Sequence, residues 1–193
     1  QSPVCTYVVK VPTRDDQGYL KVQLALIAGG NDLHPGYLPY TRANLIKQAF
    51  KMLGERYGWG GRFNRRDCSR FVMDIYRTVG IVLPRDCVFQ EKGTAGESIK
   101  FKGSIAEREK TLGEMEAGDP LYMKGHVLLY LGQVDNNFYV IHDGSGYAVK
   151  DSSGSINSMT VHSVFVMELH QLVKNGDMSY LEALSTGRKF KDI

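Results

Sequence analysis

Residues 65–76 read RRDCSRFVMDIY, with a cysteine directly after an aspartate at the start of an amphipathic run. Asp67 has the side chain of a helix N-cap, and Phe71, Val72, Ile75 and Val79 recur at helical spacing as an apolar stripe. Cys68 lies three and four residues before Phe71 and Val72, so it shares their inward face. A thiol in a first helical turn sits among unpaired N–H groups and at the positive end of the helix dipole. Both favour a thiolate, and the same N–H groups can hold a developing oxyanion. A buried structural cysteine fits the same helix, because free cysteine packs as a small hydrophobe. The helix alone leaves both readings open.

A thiolate nucleophile needs a base, and the base needs an orienting partner. Of five histidines, His126 opens the apolar run HVLLYLG and His142 closes FYVIHDG. On strands, His126 shares a face with Leu128 and Tyr130, and His142 with Phe138 and Val140. Whether the imidazoles meet is a question of register. A Gln133–Asp135 loop sets them opposite each other, and a Gln133–Asn137 loop sets them diagonally. A two-residue Asp135–Asn136 turn throws them onto opposite faces. The pairing therefore requires an odd-length loop or a compensating bulge. Asp143 points away from the His142 face and is not the orienter. Cys87, after LPRD in what reads as a loop, is the rival thiol. His34, His162 and His170 read as structural or surface residues.

The positioning elements follow from pattern. CTYVVKVPT and YLKVQLALI, separated by the turn-like RDDQG, read as two strands within residues 5–40, and a Gly- and Pro-rich loop follows. From Thr41, apolar residues at helical spacing predict a helix that ends near Gly54. The cysteine helix stops near Gly80. Residues 88–118 read as loops with short helical pieces. HVLLYLG, NNFYVIHDG, YAVKD and SVFVMEL read as strands, and SYLEALSTGRKF as a short helix. Helices first and an antiparallel sheet after them is an α+β order.

The 193 residues are 42% hydrophobic and 23% charged, with a formal net charge of +3. That composition suits one soluble domain with a small appendage, and neither the charge nor any Lys/Arg run argues for nucleic acid. No apolar stretch approaches the roughly 20 residues of a membrane helix. Three cysteines without a CxxC argue against a zinc site or a disulfide framework, although an oxidising compartment would permit one Cys5–Cys87 bridge that leaves Cys68 free. No cofactor or metal is expected. A first residue of Gln rather than Met reads as the start of a chain whose beginning has been removed.

The segments YGWGG, RDCSRFV, GIVLPRD, GDPLYMKGHVLLYLG and YVIHDGSG, in that order, resemble the NlpC family of papain-like cysteine peptidases, which are bacterial cell-wall endopeptidases. The resemblance runs from about Thr41 to Val166. It implies a papain-like fold for residues 41–193, with Cys68 as nucleophile, His126 as general base and His142 as orienter. Tyr57 would line the oxyanion region, and Asp67 and Ser69 would shape substrate binding, with Trp59 and Arg70 on the same side. The implied substrate is the peptidoglycan stem peptide, cut between γ-D-glutamate and the diamino acid, in the bacterial envelope, periplasmic or secreted. Residues 1–40 resemble the last strands of an SH3-like barrel plus a linker, which implies further SH3-like segments in the same polypeptide. Two features depart from the family pattern. Arg70 stands where the family has Gly, a cation that either meets a carboxylate or faces solvent, and GDP replaces GDL at 118–120. An amidase or acyltransferase on another substrate, and a non-catalytic wall-binding module, are the alternatives.

Overall fold

A computed structural model describes residues 6–28, 32–176 and 178–190. The chain divides into two compact units, residues 1–36 and 37–193. In the first, β1 (Thr6–Arg14) and β2 (Leu20–Ala28) form a two-stranded antiparallel sheet closed by a turn in which Asp15 Oδ1 accepts the N–H groups of Gln17 and Tyr19. Leu20, Val22, Leu24 and Leu26 of β2 are all exposed, so this ribbon has no core of its own.

The second unit begins with α1 (Arg42–Lys51), whose cap is Thr41: its hydroxyl accepts the Asn44 N–H. A glycine-containing loop leads to α2 (Cys68–Thr78), capped by Asp67 through the Arg70 N–H. Next come α3 (Cys87–Lys92), β3 (Glu97–Lys100) and α4 (Ile105–Gly113). The strands β4 (Pro120–Met123), β5 (His126–Val134), β6 (Asn137–Lys150) and β7 (Ile156–Glu168) then form a meander. The chain ends with β8 (Leu172–Asn175), β9 (Met178–Ser179), the four-residue α5 (Tyr180–Ala183) and β10 (Leu184–Lys189).

All pairings in the sheet are antiparallel, in the order β3-β10-β4-β5-β6-β8-β9, with β7 on the other edge of β6. The tail read as a short helix is therefore helical only at 180–183; its remainder is a strand between β3 and β4. YAVKD is not a separate strand but the far end of β6. Pro120, in the GDP departure, is the first residue of β4, a position where proline is tolerated in a sheet.

Apolar cores cover both faces of the sheet. On one, Phe71, Val72, Ile75 and Tyr76 of α2 pack against Val127, Leu129, Ile141 and Val164. On the other, Leu112, Leu169 and Leu181 pack against Leu121, Leu128 and Val140. Burying each such α2 side chain contributes about 1.5–3 kcal/mol, which fixes the start of α2 against the sheet. No helix among the described residues is long and apolar enough to cross a membrane.

Candidate active site

The histidines meet, and the route is the compensating bulge. β5 and β6 are joined by the two-residue turn Asp135–Asn136, both residues with positive φ (49° and 64°), as a type I′ turn requires. Left regular, that turn would put His126 and His142 on opposite faces. Between Tyr130 and Gly132 the register shifts by one residue, so Tyr130 pairs with Val140 and Leu129 with Ile141. Beyond the bulge the two histidines share a face, and His126 Nε2 lies 2.9 Å from His142 Nδ1. The rings meet edge-on, 5.0 Å apart and inclined at 78°.

Both imidazoles are held neutral. Burial, aided by the Lys174 charge, lowers the His126 pKa to about 4; burial and His126 take His142 well below the usual range. The Phe165 ring packs on His142 at 4.2 Å, and Tyr180 flanks both histidines. His142 Nε2 is buried with no hydrogen-bond partner among the described residues. Asp143 is fully buried on the other face and does not bond to His142, as expected. Its two oxygens have no partner among the described residues, and burial plus the nearby Asp67 and Glu55 charges raise its pKa to about 7.

Cys68 stands at the first residue of α2, 9% exposed, and its sulfur accepts the Val127 N–H, one residue from His126. The thiol also hydrogen-bonds the Cys87 sulfur. That bond, together with burial, keeps Cys68 protonated and raises its pKa. The loop reading of Cys87 is corrected: Cys87 opens α3, capped by Asp86, whose carboxylate accepts the Val88 N–H. Cys87 carries a free thiol, and Cys5 lies outside the described residues.

Asp67 is a hub. Beyond the cap it accepts two bonds from Arg85, at 2.8 and 2.7 Å, one from the Ser69 hydroxyl and one from the Gly60 N–H. Burial opposes its ionisation, yet the Arg85 and backbone bonds hold its carboxyl below the ordinary range. Ser69 is buried and also accepts from Arg85. Gly60 and Gly61 take positive φ in the loop that brings the Gly60 N–H to Asp67.

Tyr57 is held by its own N–H to the His162 carbonyl, and burial with the nearby Cys68, Asp67 and Asp143 pushes its hydroxyl up to about 12. Trp59 is 68% exposed, with the Arg62 guanidinium 5.5 Å over its ring. Arg70 is half-buried; it reaches back to the Arg65 carbonyl at 3.5 Å and along its own helix to Asp74 at 3.7 Å. Asp67, Cys68 and Ser69 thus stand at the start of α2 with Tyr57 nearby, while His126 opens β5 and its partner His142 lies within β6. Trp59 and Arg70 lie at the rim.

On its β5-facing edge, β6 pairs with β5 as far as Ile141 and with β8 from Ala148, so residues 142–147 have no strand partner on that edge among the described residues. A cavity of about 430 Å³ opens there, lined by Ser145, Tyr147, His162, Lys174 and Tyr180. A second, of about 310 Å³, is lined by Arg56, Tyr57, Phe63, Arg65 and His162. Residue patterns left Arg85 open between surface and cleft and missed Lys174 and Tyr180. For Lys174 there was no signal, because it lies in β8, which went unread; Tyr180 lies in the tail helix, whose docking beside the histidines is non-local. Among the described residues no cluster of histidine, cysteine and carboxylate could hold a metal ion.

The profile of the NlpC/P60 family matches residues 54–170. A curated relative, dipeptidyl-peptidase 6 of Lysinibacillus sphaericus, is 32% identical over 123 residues, 60% of this chain and 38% of the relative. An NlpC/P60 endopeptidase from Photobacterium damselae superposes with a TM-score of 0.70 at 19% identity, covering 95% of this chain and 46% of that one. An NlpC/P60 family protein from Bacillus cereus gives a TM-score of 0.54 at 19% identity, covering 98% and 52%. The chain thus spans about half the length of these structures and 38% of the curated relative.

Proposed function

The chain belongs to the NlpC/P60 family, and from that premise we propose that it is a cysteine peptidase of bacterial peptidoglycan. It hydrolyses stem peptides at the bond between γ-D-glutamate and the diamino acid, in the periplasm or outside the cell. One observation carries the reading: the 2.9 Å contact between two neutral imidazoles, His142 buried and His126 half-buried, with the Cys68 thiol on the N–H of the residue after His126. A relative named as a peptidase supports the reaction class. The substrate and the bond rest on family likeness.

The chemistry runs as follows. Cys68 turns from Cys87 and gives its proton to His126. For His126 to accept at Nδ1, its Nε2 must carry hydrogen and donate to His142 Nδ1. His142 then bears its own hydrogen on Nε2, the atom without a partner. The thiolate attacks the γ-glutamyl carbonyl. The oxyanion faces the first-turn N–H groups of α2 and the Tyr57 hydroxyl, which is protonated throughout the working range. His126 passes its proton to the leaving amine, and water, activated by the same imidazole, opens the thioester. Asp67 and Ser69, braced by Arg85, form the floor on the acyl side. In this reading β1 and β2 are the remnant of an SH3-like barrel. Two strands with an exposed apolar face are not stable alone, so they must pack on something further.

Mass spectrometry of defined muropeptides after incubation with the chain tests the reading. The expected products are the γ-D-glutamyl fragment and the peptide beginning with the diamino acid. Uncut muropeptides, or cleavage at a different bond, would overturn it.

A further inference from the structure

The second thiol has no part in that mechanism, yet it touches the first. α2 begins at Cys68 and α3 at Cys87, and four bonds hold the two helix starts together. Arg85 donates to Asp67 at 2.8 and 2.7 Å and to Ser69 Oγ at 2.9 Å, and Gln90 Nε2 donates to the Ser69 carbonyl at 2.9 Å. Asp67 and Ser69 flank Cys68, while Arg85 and Gln90 stand on either side of Cys87. The clamp therefore grips the chain around both cysteines. Cys87 packs against the core cluster that contains Cys68, and each thiol is the largest influence on the other's ionisation, so the two side chains are neighbours. A disulfide would bring these neighbouring sulfurs to ~2 Å.

We propose that Cys68 and Cys87 are a modification site: a hydroperoxide converts the pair to an intramolecular disulfide that withdraws the Cys68 sulfur, and a dithiol reductant returns it. Formation of the bond rests on the clamp and packing that make the two thiols neighbours, not on the peptidase reading. Its effect on turnover rests on the peptidase reading above.

The environments set the order of events. Cys87 is half-buried, and the hydrogen bond from Cys68 lowers its pKa to about 7, with help from the Cys87 and Val88 N–H groups. Cys68, more deeply buried, keeps its proton. The Cys87 thiolate attacks the peroxide O–O bond, giving Cys87 sulfenic acid and hydroxide. The Cys68 sulfur then displaces the sulfenic hydroxyl, which leaves as water with the Cys68 proton, and the S–S bond closes. Peroxide is reduced by two electrons and the thiol pair oxidised by two. Reduction proceeds by thiol–disulfide exchange with a dithiol, which ends as its own disulfide. The site then differs from a lone reactive thiol: peroxide stores the nucleophile in recoverable form before it reaches sulfinic or sulfonic acid.

The test uses the full chain, treated with graded hydrogen peroxide and weighed intact, with a parallel sample alkylated under denaturing conditions to count free thiols. Wild type is expected to lose about 2 Da. Alkylatable thiols should fall from three to one, and a non-reducing digest should yield the Cys68 peptide joined to the Cys87 peptide. Dithiothreitol should restore all three thiols. Cys87→Ser should lose no hydrogen and instead gain oxygen in steps of about 16 Da that dithiothreitol does not fully reverse. The proposal fails if Cys68 and Cys87 both remain alkylatable after peroxide, if Cys5 is in the bridge, or if Cys87→Ser shows the same reversible protection. These readouts need no substrate, so a chain that cuts no muropeptide would still decide the disulfide. Where turnover is present, it should fall in step with the 2 Da loss and recover with dithiothreitol. Turnover that persists after complete bridging would refute the withdrawal of Cys68.

Discussion

The tripeptide Arg-Asp-Cys occurs twice, at 66–68 and at 85–87, and each copy opens a helix with its aspartate as cap and its cysteine as first residue. The surroundings differ in every other respect. Asp67 is buried and accepts from Arg85, Ser69, Gly60 and Arg70, whereas the Asp86 cap bond is exposed and goes to Val88. Cys68 heads an 11-residue helix whose inner face is core; Cys87 heads a 6-residue one whose single fully buried side chain is Gln90. The arginines are exchanged as well. Arg85 of the second copy braces Asp67 of the first, while Arg66 serves Glu55 and Asp74. Local sequence makes a capped helix with a thiol at its start in both places. The role of each thiol is assigned by what packs against it.

The largest effects should come from the strand side, which only the first copy possesses. His126→Ala is expected to lower kcat/KM on a muropeptide by about 1,000-fold or more, and His142→Ala by about 100-fold, with far-UV circular dichroism unchanged. Equal losses from His170→Ala, a residue bonded to Glu109 away from the site, would erase the distinction. Next come the exchanged arginines. Arg85→Ala leaves a buried carboxylate without its bidentate partner and should cost about 1–3 kcal/mol in urea unfolding, with a raised KM. Arg66→Ala breaks half-exposed ion pairs and should cost no more than about 1 kcal/mol, with KM near wild type. A reversed ranking would contradict the hub assigned to Asp67.

A subtler contrast lies in pH. Asp143, near the first copy, has a folded pKa of about 7 against an ordinary value near 4, so the folded state holds a proton that the unfolded state has released. The resulting penalty is absent below about pH 4 and grows to its full size by about pH 7. Asp143→Asn should raise Tm by several degrees at pH 8 and barely change it at pH 4.5. His126 has the opposite sign. Its folded pKa of about 4 lies below the unfolded value near 6.5, so stability falls as pH drops from 6.5 toward 4. His126→Gln should flatten that acid limb of the Tm profile, and an unchanged slope would count against a buried neutral imidazole. The exposed cap has a small effect as well: Asp86→Ala should cost about 0.5–1 kcal/mol in thermal unfolding.

What the sequence disclosed was local. Helices α1 and α2 were legible, with their caps Thr41 and Asp67, because periodicity and capping act over a few residues. The meeting of His126 and His142 was legible only as a condition. A type I′ turn and a bulge at Leu131 are alternatives of backbone geometry that residue types do not separate. Helix α3 escaped because six residues carry too little periodicity. Strand β10 escaped because its pairing with β3 and β4 is non-local, and LSTGRK has no alternating pattern to announce it. The contact between the two cysteines escaped for the same reason, being a product of how α3 docks on α2.

The central claim is that Cys68, and not the otherwise similar Cys87, is the nucleophile. It is tested most directly by assaying wild type, Cys68→Ala and Cys87→Ala side by side on one muropeptide under reducing conditions, with products identified by mass. The account predicts that Cys68→Ala falls at least about 1,000-fold, to background, while Cys87→Ala stays within about threefold of wild type. Turnover that survives in Cys68→Ala and is lost in Cys87→Ala would contradict it.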